Sequence, residues 1–194
     1  MDAAGYWDAQ AESFDAEPDH GLTDAAVRAA WARLLLPLLP LSASVADLGS
    51  GTGTLAVLLA GAGHVVSGVD VAPRMVAAAR AKAASAGVAA CFVVGDAAAP
   101  PFAPGTFDAV LSRHVLWAMP DPGEALASWV ALLRPGGRLL LVDGRWSTGG
   151  GLSAAAVRDL VLRHRAEADV VPLDDPALWG RPVTDERYLV ASTC

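Results

Sequence analysis

Between two apolar runs lies Asp47-Leu48-Gly49-Ser50-Gly51-Thr52-Gly53, with a glycine at every second position from 49. The run before it, from residue 44, reads as a buried strand, and the run from Thr54 reads as a helix. Glycines in such a turn permit positive φ and let a ligand approach without a Cβ in the way. The start of the following helix offers unpaired N–H groups that favour a carboxylate or phosphate. A strand, a glycine turn and a helix form the opening unit of an α/β sheet. A plain structural turn is the competing reading of the loop taken alone.

The rest of the chain repeats that alternation. Periodicity predicts a helix over 23–36 with Thr23 as its cap, a strand over 44–48 and a helix over 54–60 closed by Gly61 and Gly63. A strand over 65–70, a helix over 74–86 stopped by Gly87, and strands over 90–95 and 107–112 follow. Asp121-Pro122-Gly123-Glu124 has the pattern of a helix start, with the helix expected to reach Leu133. Residues 138–143 are apolar on both faces, as a central parallel strand is. A Gly/Ser-rich loop over 144–152, a helix over 153–165 and two strands near 169–173 and 187–192 close the pattern, with Trp179 in the loop between them. No repeat or linker divides the chain, so one domain over 1–194 is expected. It comprises an N-terminal segment (1–36), a core (44–144) and a C-terminal helix and strand pair (145–194). Strand–helix alternation implies a mostly parallel sheet covered on both faces, with ligands beyond the carboxyl ends of the strands.

Composition narrows the classes. With 194 residues, 54% hydrophobic and 18% charged, the chain has ample material for a core and is unlike a disordered polymer. The densest apolar stretch, Leu34 to Leu41, is short and broken by Pro37 and Pro40, so no membrane span is expected. The acidic start lacks the basic-then-apolar order of a secretory signal. Cys91 and Cys194 lie in no metal-binding or disulfide pattern, which fits a reduced, cytoplasmic protein with no metal. A net charge of −7, with thirteen scattered Arg and one Lys, argues against a nucleic-acid partner.

Three acids sharpen the glycine loop. Asp70 ends the second strand, 23 residues after Asp47, where a carboxylate can take both ribose hydroxyls. Asp96 follows the third strand, where it can accept from an adenine amine. Asp108 opens the fourth strand. Each alone also reads as a solvated strand end; three in phase with the loop do not.

These residues carry a resemblance. DLGSGTG (47–53), GVDVAPRM (68–75), GDAAAPPF (95–102), FDAVLSRHVLWAMPDP (107–122) and LLRPGGRLLLVDG (132–144) resemble class I S-adenosylmethionine (SAM)-dependent methyltransferases, in the small bacterial branch grouped with ubiquinone-type enzymes. The resemblance implies a Rossmann-like, doubly wound sheet of seven strands, mostly parallel with an antiparallel last strand and helices on both faces. It implies SAM as methyl donor and S-adenosylhomocysteine as product. Gly49, Ser50, Gly51 and Gly53 would pass under the methionine part, with Asp47 facing its amino group. Asp70 would hold the ribose, Val71 and Met75 flank the adenine, and Asp96 with the Ala97 N–H take its edge. Ser112 and Arg113 would line the methionine end through their backbone, leaving Asp108 structural. An NAD-binding reading of the same glycines needs the third one residue later, where Thr54 stands. It also leaves Asp47 and Asp96 without a role.

Methyl transfer from a sulfonium mainly requires alignment and exclusion of water, with a base only for a protonated acceptor. His114, directly after the fourth strand, is the candidate base; positioning the cofactor is its other reading. Trp7, Phe14 and His20 suggest an N-terminal lid, or else a helix packed on the sheet edge. Trp117, Arg145 and Trp146 are candidate substrate-lining residues, the glycines after Trp146 suggesting either mobility or a plain connector. The strand ends lack the carboxylate cluster of a magnesium-dependent catechol enzyme. No Asn-Pro-Pro-Tyr motif or inserted domain points to a macromolecular target. A small acceptor methylated on O, N or C is expected. Monomer and homodimer both remain open, as does a non-catalytic SAM-binding role.

Overall fold

A computed structural model describes residues 2–193, the side chain of Asp19 excepted; Met1 and Cys194 lie outside the described residues. The N-terminal segment forms α1 (Ala3–Gln10), a 3₁₀ turn (Phe14–Ala16) and the single turn α2 (Pro18–Gly21). Then come α3 (Ala25–Leu35), β1 (Ser44–Leu48), α4 (Thr54–Gly61), β2 (Val65–Asp70), α5 (Pro73–Ala86) and β3 (Ala90–Val94). The second half runs β4 (Phe107–Arg113), a 3₁₀ turn (Leu116–Ala118), α6 (Pro122–Ala131), β5 (Leu133–Arg145) and α7 (Ala154–Val161). It closes with β6 (Asp169–Pro172), the short α8 (Pro176–Trp179) and β7 (Glu186–Thr193).

The seven strands lie in the order β3-β2-β1-β4-β5-β7-β6. The pairs β3–β2, β2–β1, β1–β4 and β4–β5 are parallel, and β7 runs antiparallel between β5 and β6. Strand order reverses between β1 and β4, so a crevice opens beyond their carboxyl ends. The expected seven-stranded, mostly parallel architecture is the one observed.

Both sheet faces are covered, which explains the unbroken apolar run of β5. Leu140 and Val142 point into a core with Trp31, Leu35 and Leu59 from α3 and α4. Leu139 and Leu141 point into the other, with Leu126, Trp129, Val157 and Val161 from α6 and α7. No helix among the described residues is long and apolar enough to cross a membrane.

Several boundaries differ from expectation. The helix expected over 23–36 begins two residues later, because the Asp24 carboxylate, not Thr23, caps it by accepting from the Ala26 N–H at 2.6 Å. The helix expected to reach Leu133 ends at Ala131, and β5 already pairs with β4 at Leu133. Its register then jumps from Phe107–Leu133 to Ala109–Arg138, and the Pro-Gly-Gly stretch is absorbed as an irregularity in the strand. Trp179 lies in α8, not in a loop. Its ring packs edge-on against Trp31 at 5.5 Å, and both indole N–H groups find buried carbonyls, at Leu173 and Leu178.

Candidate active site

The glycine loop leaves β1 and curls against the end of β2. Gly49 and Ser50 N–H donate to the Val69 carbonyl at 2.9 Å, and Gly51 N–H donates to Asp70 Oδ2 at 2.8 Å. Gly49 has φ +70°, and a Cβ there would stand 2.3 Å from Val115, so only glycine fits. The loop floors a cavity of about 440 Å³ at the carboxyl ends of the strands.

The acids occupy one side of that cavity, over β3, β2 and β1. Asp70 also accepts from Ala72 N–H at 2.9 Å; burial raises its pKa, and the two N–H bonds oppose the rise. Asp47 is only 3% exposed, and burial pushes its carboxyl up to about 7 against the pull of the Arg113 guanidinium. Asp96 lies past β3 and accepts from Ala98 N–H at 2.8 Å. All three line the cavity, with Val71, Met75 and Ala97. Asp108 sits at the opposite end of β4, taking Ser44 N–H, Ser44 Oγ and Arg134, and the Ser44 N–H leads in holding it below the usual carboxylate range. It holds strands together, as expected.

Over β4 and β5 the walls are aromatic. His114 has φ +61°, a strained backbone for a non-glycine residue, held by its N–H donating to Val142 O at 2.9 Å. Its ring stacks on Trp179 at 6.0 Å and meets the edge of Trp146 at 5.4 Å. Nε2 is buried without a hydrogen-bond partner among the described residues. Burial first, then Arg113, Arg187 and His20, holds the imidazole well below its ordinary pKa, so the ring is neutral at pH 7. Trp117 donates its indole N–H to His114 O and packs on Trp146 at 5.1 Å. The Arg187 guanidinium lies between Trp146 (5.3 Å) and Trp179 (5.2 Å), while Arg113 lies over Trp31 at 5.2 Å. Asp143, 1% exposed, accepts N–H groups from Gly144 and Trp117 beneath these walls, and burial pushes it up to about 7.

Trp7, Phe14 and His20 bring the N-terminal segment over the cavity, Phe14 stacking on His20 at 4.3 Å. Asp8 accepts from Arg74 N–H at 2.8 Å, so α1 supplies the cap that α5 lacks in its own sequence.

Three expected site residues do not face the cavity. Gly53 turns the other way: its Cβ would lie 2.8 Å from Ala79 Cβ and 2.9 Å from Phe92, so it serves helix–sheet packing. Ser112 is buried below, its hydroxyl donating to Leu48 O at 3.0 Å. Arg145 ends β5 exposed, opposite Glu186 and Gly151, and only its neighbour Trp146 reaches the wall. The loop after Trp146 is pinned: Trp146 N–H donates to Gly150 O, Gly149 N–H to Trp146 O, and Ser147 N–H to Asp185. Met119 and Val115, from the turn after β4, complete the wall. Only their place in the loop after a strand end hinted at it.

Fold, switch-point crevice, glycine loop and phased acids together have the arrangement of the class I SAM-dependent methyltransferase fold. Comparison with known proteins agrees: residues 46–141 match the family described as a methyltransferase domain, and the chain carries that domain over these residues. Over 101 residues it is 41% identical to the demethylmenaquinone methyltransferase of Thermus thermophilus, covering 51% of this chain and 46% of that protein. Over 139 residues it is 34% identical to a ubiquinone biosynthesis O-methyltransferase of Xanthomonas campestris pv. campestris, covering 70% and 54%. The chain thus spans about half the length of the curated relatives it matches. Among solved structures, a chain from the complex of the Haloferax volcanii Trm112 methyltransferase activator with a methyltransferase superposes with TM-score 0.70. It is 25% identical over 96% of both chains.

Proposed function

We propose that this chain transfers the methyl group of SAM to a small organic acceptor. The observation that carries it is the division of one cavity. The exposed Asp96, the buried Asp70 and Asp47 and a glycine cradle lie over β3, β2 and β1, and aromatic rings lie over β4 and β5. The first half suits SAM: Ser50 Oγ is buried there without a hydrogen-bond partner among the described residues, and a side chain at Gly49 would fill the turn. When bound, SAM supplies an electrophilic methyl group on a sulfonium.

The residues then divide the work. Asp70, already oriented by Gly51 and Ala72 N–H, accepts from ribose hydroxyls. Asp96 and Ala97 meet the adenine edge, and Val71 and Met75 flank its faces. Asp47 meets the amino end beside Gly49 and Gly51, with the Arg113 backbone on the far side. Trp117 and Trp146 orient a flat acceptor, and the N-terminal roof excludes water. His114, neutral and packed between indoles, positions that wall; a general base is not required of it. The relatives are named for demethylmenaquinone and for ubiquinone biosynthesis, which favours a quinone-related acceptor.

Calorimetric titration with SAM, S-adenosylhomocysteine and NAD tests the reading. Micromolar binding of the first two and none of NAD is expected. Binding of NAD alone would overturn it. A chain that binds SAM yet methylates nothing in a screen of small phenols, amines and activated carbons would be a binding protein instead.

A further inference from the structure

Lys82 is the chain's single lysine, and all three protons of its ammonium are engaged. From α5 it donates to Asp15 Oδ2 at 2.7 Å, to Thr52 Oγ1 at 2.9 Å and to Thr54 Oγ1 at 2.5 Å. Thr52 Oγ1 in turn donates to Asp15 Oδ1 at 2.5 Å, closing a ring of three side chains. One cation therefore ties four pieces together: the 3₁₀ turn at Phe14–Ala16, the glycine loop, the first turn of α4, and α5. The Lys82 and Asp15 side chains are 25% and 36% exposed, so the pair is partly shielded from solvent and salt. The other ion pairs of the segment among the described residues, Glu12–Arg74 at 3.8 Å and Glu17–Arg181 at 3.6 Å, are mostly exposed and involve no residue of the glycine loop.

Asp15 adjoins Phe14, whose ring roofs the cavity, lies over Gly51 and stacks on His20. While Asp15 is held, the neighbouring Phe14 ring is held over Gly51. We propose that Lys82 and Asp15 are positioning residues that latch the N-terminal roof to the glycine loop and set how long the cofactor stays bound. The proposal rests on the methyltransferase reading above. It differs from simple bracing in its kinetics. Opening is required for entry as well as exit, so removing the latch speeds both, and the dissociation constant moves less than either rate.

The test uses the full chain and S-adenosylhomocysteine, followed by stopped-flow tryptophan fluorescence. In Lys82→Met and in Asp15→Asn, dissociation is expected to be about tenfold faster and association faster too. The double variant should be no faster than either single, because one interaction has been removed twice. Lys82→Arg keeps the charge and should stay near wild type. Hydrogen exchange of the ligand-free protein gives a second readout: amides over 13–22 should exchange about tenfold faster in Lys82→Met, with β1 and β4 unchanged. Unchanged dissociation in folded single variants, or effects that multiply in the double, would overturn the latch. Wild-type protein that binds no S-adenosylhomocysteine would overturn the cofactor reading and the residence claim together, and the exchange data would still decide whether Lys82 holds the roof.

Discussion

Asp70 shows how one carboxylate serves fold and ligand at once. Its oxygens take Gly51 and Ala72 N–H, so its geometry is set before any ribose arrives. Asp70→Ala is expected to weaken SAM binding by about 1.5–3 kcal/mol, roughly ten- to a hundredfold, in calorimetry. Unchanged affinity in a folded variant would remove the ribose assignment. His114 leads to the opposite kind of prediction. Loss of a general base costs about 10²–10⁴ in rate, whereas His114→Asn, which tolerates positive φ, is expected to lower kcat by less than about tenfold. The measurement is turnover of an acceptor supplied by screening, and a loss of a hundredfold or more would make His114 the base. Asp47, Asp70 and Asp96 were legible in the sequence because each sits in or just past an apolar strand. Lys82 was not. Its partners lie 67, 30 and 28 positions away, and nothing in an Ala-rich helix marks which side chain meets them.

Elements were legible wherever period and punctuation agreed, and displaced wherever two signals competed. Thr23 and Asp24 are both good caps; Asp24 wins through its bond to Ala26. Leu133 fits either the end of a helix or the start of a strand, and pairing with Phe107 decides for the strand. At Gly53, spacing shows that a glycine is needed and not what it avoids. Gly53→Ala puts a Cβ 2.8 Å from Ala79 in a left-handed residue. A loss of about 1–3 kcal/mol is expected in denaturant unfolding, partly recovered by Ala79→Gly. Asp143 joins the 3₁₀ turn after β4 to the end of β5, and its pKa, raised from 3.8 to about 7, is a statement about stability. The folded state holds the proton more tightly, so this group's contribution is complete below about pH 4 and is lost as pH rises to about 7. Asp143→Asn should flatten that fall by up to about 1.4 kcal/mol per pH unit over this window, read from unfolding curves at several pH values. Equal slopes in wild type and variant would show that the buried carboxyl does not titrate there.

At the scale of the molecule, helices cover both faces of one sheet, and the cavity floored by the glycine loop lies at the switch point. Ligand binding and global stability are therefore linked. S-adenosylhomocysteine at about a hundred times its dissociation constant should add about 2.7 kcal/mol, roughly 5–10 °C in Tm, with no shift from NAD. A flat melting curve with saturating ligand would contradict a site built into the cooperative fold. The strand order carries a consequence for how the chain is made. β7 lies between β5 and β6 and gives β6 its only pairing among the described residues. During synthesis the glycine loop, the acids and the roof all leave the ribosome while β5 still has a bare edge. The nascent protein thus acquires the half proposed to hold SAM first, and passes through a stage in which that half stands beside an unpaired strand.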